Sequence, residues 1–84
     1  MKKKVVRDAY IASCESVQRY IRIYGRMMIP FSDMLEHVGE QLKYEHIRLL
    51  TLVNKGTITD DERQLIEERL EAYTKKELKN ACKA

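Results

Sequence analysis

The chain has no tryptophan, one phenylalanine, one proline, three glycines and two cysteines in 84 residues. Each shortage removes a class of structure or chemistry. The three glycines stand singly, which excludes a phosphate-cradling glycine loop and a nucleophile elbow. Cys14 and Cys82 lie far apart without the close paired spacing of a zinc site. A set made of Cys14, His37, His46 and Cys82 is therefore set aside, and the expectation is two reduced thiols with no metal and no cofactor. No run of about 18 apolar residues could span a bilayer, and Lys2, Lys3 and Lys4 precede no signal-type apolar core. The chain reads as a soluble, cytoplasmic protein that does not enter a membrane.

What is present favours helices. Ala, Glu, Lys, Leu and Arg supply 38 of the 84 residues, near the half-fraction typical of long amphipathic helices. This length supports one small domain over residues 1–84, with 1–4 as a flexible start. Such a domain buries only about 60 to 65% of the surface its unfolded chain exposes. A homodimer covering leftover apolar surface is as natural an outcome as a monomeric bundle.

Apolar spacing predicts three amphipathic helices, at about 5–28, 33–54 and 60–81, in a small all-α bundle. Val6, Tyr10, Cys14, Val17, Ile21, Tyr24 and Met28 recur at steps of three and four, and Pro30 ends that segment. The second stripe runs Leu35, Val38, Leu42, His46, Leu49 and Val53, behind an Asp33-x-x-Glu36 spacing that approximates a capping box. His46 on that stripe reads as a partly buried, hydrogen-bonded core residue. The third stripe runs Ile66, Leu70, Tyr73, Glu77 or Leu78, and Ala81. Its acidic start at Asp60, Asp61 and Glu62 and its basic end at Lys75, Lys76 and Lys79 suit the helix dipole.

Between the last two helices, Gly56 has the freedom required at a helix C′ position, and Thr59-x-x-Glu62 is a capping box. Through Gly56, Ile58, Thr59, Glu62 and Leu70, residues 49–70 resemble the short C-terminal (SHOCT) helical-hairpin domain. That family usually carries an aromatic after the Glu and a Lys further along, where this chain has Arg63 and Glu67. The resemblance implies an interaction or oligomerisation hairpin without catalysis, and transfers no binding residue.

With no paired-carboxylate, nucleophilic or glycine-loop arrangement and little room for a pocket, the chain is not expected to be an enzyme. Its charge is unevenly placed. Residues 1–28 carry Lys2, Lys3, Lys4, Arg7, Arg19, Arg22 and Arg26 against Asp8 and Glu15, a balance of +5, and the remainder at −2 closes to the net +3. A helix-turn-helix reader would place the third helix against phosphates, but Asp60 to Glu71 is strongly acidic. A nucleic acid would instead meet the first helix through Arg19, Arg22 and Arg26, beside Tyr20 and Tyr24. The segment Tyr24 to Phe31, rich in Tyr, Met and Ile, reads first as core; the alternative is an adaptable surface for a partner. The candidate partner-binding residues are thus Arg19, Tyr20, Arg22, Tyr24, Arg26, Met27, Met28 and Phe31. The expected function is a non-enzymatic protein-binding module, a regulator or inhibitor docking on a larger protein. A nucleic-acid-binding module using the basic first helix is the alternative.

Overall fold

The computed structural model describes residues 3–82, apart from the side chain of residue 82. Three helices follow one another: α1 (Lys4–Arg26), α2 (Phe31–Asn54) and α3 (Asp60–Cys82). They form a small all-α bundle about 41 Å long and 21 by 15 Å across, in which α1 packs against both other helices. Among the described residues no helix is long and apolar enough to cross a membrane. Of the expected flexible start, residues 1–2 lie outside the described part. Lys3 reaches Glu62 across 3.4 Å and Lys4 already opens α1.

Two boundaries differ from expectation by two residues, and the start of α1 and the end of α3 by one. The first helix stops at Arg26, with Met27 as its C-cap, so Met28 lies outside it. The second begins at Phe31, two residues early and without an Asp33 cap. Pro30, held at φ −56°, serves as N-cap because its carbonyl accepts from the amides of Asp33 (3.0 Å) and Met34 (3.1 Å). Asp33 falls instead in the first turn, where its carboxylate meets the positive end of the dipole.

The α2–α3 turn forms as its sequence dictates. Gly56 takes φ +77°, Thr57 N–H donates to Leu52 O (2.9 Å) and Gly56 N–H to Val53 O (3.0 Å), the two bonds of a Schellman ending. Thr59 N–H donates to Glu62 Oε1 (2.7 Å) while Glu62 N–H donates to Thr59 Oγ1 (3.1 Å), which completes the capping box.

The core is divided in two. Cys14, Val17, Ile21, Met34, Val38 and Leu70 form one buried cluster, and Val6, Ala9, Leu49, Ile58 and Ile66 the other. Ser13 and Glu45 are also buried, and the guanidinium of Arg48 joins them: Nη2 donates to Ser13 Oγ (2.6 Å) and to Glu45 Oε1 (3.1 Å). Here the expected α2 stripe is corrected. Glu45 points inward at 4% exposure, whereas the neighbouring His46 is exposed and donates from Nδ1 to the Glu67 carboxylate on α3. The inward line runs Met34, Val38, Glu45, Leu49, and Leu35 is left in solvent. Hydrogen bonding decides the choice: Arg48 and Ser13 satisfy a carboxylate at position 45, while an imidazole at position 46 finds its acceptor at the rim.

Candidate functional site

Several of the exposed large apolar residues lie at the corner formed by the end of α1, the turn after it and the start of α2; others, Tyr44 and Ile47 among them, are exposed elsewhere. Met28 is 92% exposed and Met27 60%; Tyr20, Ile23, Phe31 and Leu35 are also exposed. The expectation that the Tyr24–Phe31 segment is mainly core is thereby overturned. A helix ending at Arg26 turns Met27 and Met28 into solvent instead of carrying them along the buried stripe. Only Tyr24 and Ile29 of this segment pack against the core. The Tyr24 ring lies nearly parallel to His37 (centroids 4.5 Å apart, 7° between planes) and tilts against Tyr20 (5.9 Å). Tyr24 is therefore a support for the corner.

Helix geometry orders the outer surface of α1 into two neighbouring stripes. Tyr20, Ile23 and Met27 follow steps of three and four, and so do Arg19, Arg22 and Arg26 one residue earlier. The arginines share a shallow groove with Glu15, Gln18 and Ile23. None of the three has an ion-pair partner among the described residues. The acidic groups of α3 are partly engaged elsewhere: Arg63 binds Asp60 (2.8 Å) and Glu67, and Lys75 reaches Glu71 (3.4 Å).

At Met28 the backbone takes φ +54°, the left-handed region, where a side chain bearing a Cβ is disfavoured. The α2–α3 turn assigns this conformation to glycine. Here the chain places a methionine in it and leaves the side chain in water.

The groups available for chemistry are dispersed. Cys14 is buried as a free thiol, pushed up in pKa chiefly by that burial, so it holds its proton and is a poor nucleophile. His37 stacks on Tyr24, and His46 pairs with Glu67. The described residues contain no group of three or more His, Cys, Asp or Glu that could hold a metal ion. The thiol of Cys82 lies outside the described residues. Hydrogen bonding from Arg63 holds the Asp60 carboxyl below its ordinary value, and the Thr59 backbone amide does the same for Glu62. The Glu62 shift belongs to the capping of α3 and the Asp60 shift to an ion pair within its first turn.

Comparison of the chain with protein-family models, with curated proteins and with solved structures gave no match. Arg19, Tyr20, Arg22, Arg26, Met27, Met28 and Phe31 all stand exposed, on α1, in the turn after it and at the head of α2, and Tyr24 is half-buried between Tyr20 and His37. Ile23 was not singled out in the sequence, and Leu35 was read as part of the buried α2 stripe. Ile23 was legible one turn before Met27, whereas Leu35, three residues before Val38, was read on the inward line where the structure buries Met34, four residues before Val38.

Proposed function

We propose that the chain is a non-enzymatic protein-binding module whose docking surface is the α1–α2 corner, built from Tyr20, Ile23, Met27, Met28 and Phe31 and edged by Arg19, Arg22 and Arg26. Met28 carries the reading. It combines two local costs, a left-handed backbone and an apolar side chain in solvent, that a glycine would relieve. A partner covering the thioether accounts for both, and methionine suits a surface that must adapt its shape. The role is that of a small regulator or inhibitor acting by occupancy.

Met28→Gly tests this with opposite signs. The variant should be more stable than the parent by about 0.5 to 1 kcal/mol, because the strained residue is replaced by one free to adopt that backbone. It should also lose the partner captured from the native host, measured by quantitative mass spectrometry against the parent. A stabilised variant that recovers the same partner in the same amount rejects the corner as the docking surface.

A second reading has one observation in its favour: the three guanidinium groups, without ion-pair partners among the described residues, could contact phosphates. The acidic first half of α3 opposes a polyanion. Binding to duplex or single-stranded nucleic acid that weakens steeply with salt and is lost on changing Arg19, Arg22 and Arg26 together to Gln would establish it over the protein-binding reading.

A further inference from the structure

The two stripes on α1 constrain the partner more narrowly than an apolar patch would. Tyr20 and Ile23 of α1, with its C-cap Met27, fall at the a, d and next a positions of a heptad repeat, which places Arg19 and Arg26 at successive g positions. An apolar seam flanked at g by charge of one sign is the half-interface of a helix pair. From it we infer that the occupant of this face is an amphipathic helix of another protein, with an apolar stripe and acidic residues beside it. The inference rests on the protein-binding reading above and adds the chemistry of the partner.

Charge selects this occupant over a second copy of the chain. Two copies pairing antiparallel through α1 would bring g against g, arginine against arginine. Pairing in parallel would set Arg19 against Tyr24, which is uncharged and already stacked on His37, and would leave the arginines without carboxylates. The single carboxylate in the groove, Glu15, does not pair with any of the three arginines. Arg19 and Arg26, without ion-pair partners among the described residues and flanking exposed apolar side chains, match a helix that supplies carboxylates in the same periodicity. They also reject one that supplies lysines.

The test uses two fluorescein-labelled peptides of about three heptads, both with Leu at a and d, one with Glu and the other with Lys at e and g. Repulsion between like-charged peptides keeps each from pairing with itself. By fluorescence anisotropy the intact chain should bind the Glu peptide about tenfold more tightly than the Lys peptide, a preference that shrinks as salt rises. Arg19→Glu with Arg26→Glu should reverse the preference. Both positions are exposed, so the fold is retained, and circular dichroism checks it. Equal affinity for the two peptides, binding of neither, a preference untouched by the charge reversal, or self-association in place of peptide binding overturns the inference. Ile23→Ser separates this outcome from failure of the broader reading. If it weakens both peptides while no charge preference exists, the apolar docking surface stands and only the acidic partner falls. If it changes nothing, the docking surface itself falls.

Discussion

At the scale of single residues, legibility followed the range of the forces involved. Gly56 and Thr59 could be read because their partners lie within a few residues and the chemistry of the turn is complete in itself. The exchange of His46 for Glu45 could not be read. Both are polar, both flank the apolar spacing, and the choice between them is made by Arg48 together with Ser13, which is 35 residues away from Arg48 in sequence. This polar group yields a prediction. Arg48→Ala removes the charged partner of a buried carboxylate and should cost about 2 kcal/mol, whereas Glu45→Leu with Arg48→Met should recover part of that loss, since the apolar pair needs no partner although the buried Ser13 hydroxyl loses its own. Denaturant midpoints of the single and double variants check it, and equal losses would show that Glu45 is already solvated.

At the scale of the helices, propensity and packing disagree in one place. Gly25 sits one residue before the end of α1, where glycine costs up to about 1 kcal/mol relative to alanine. A Cβ built there meets no atom within 4 Å. Close packing within the chain does not require the glycine, so Gly25→Ala should raise the thermal midpoint, with a gain of about 0.5 to 1 kcal/mol. A lowered midpoint would mean that the end of α1 departs from helical geometry. The same end explains why the corner was misread: periodicity registers a stripe of residues but not where the helix carrying it stops. Met28 continued the spacing of α1, and the structure releases the helix two residues before it.

For the whole molecule, alkaline pH should act on the core. Burial raises Cys14 and Tyr73, while the hydrogen bond with Cys14 is the main cause that raises Tyr10. The folded chain therefore holds these protons more tightly than the unfolded chain. Their contribution to stability is complete below about pH 9 and is lost as pH climbs through the raised values. Urea midpoints should fall between pH 8 and pH 10.5, and Cys14→Ala should flatten the decline; an unchanged slope would remove the thiol from the account. At the acid end Asp60 and Glu62 act in the opposite sense, contributing above the ordinary carboxylate range and ceasing to do so as pH falls through their lowered values. The bundle itself was legible in the apolar spacing. The expected dimer rested on those stripes, most of which the three helices use against one another.

The second core cluster bears on modularity. Val6 and Ala9 of α1 close over Leu49, Ile58 and Ile66, so the capped turn between α2 and α3 rests on a helix that begins more than forty residues earlier. The turn's own code is complete in sequence, yet the stretch is not portable. Grafted alone onto another scaffold, residues 49–70 would keep their caps and leave Leu49, Ile58, Ile66 and Leu70 without the side chains that cover them here. Transplanting the hairpin as a working unit thus requires the first turns of α1 to travel with it.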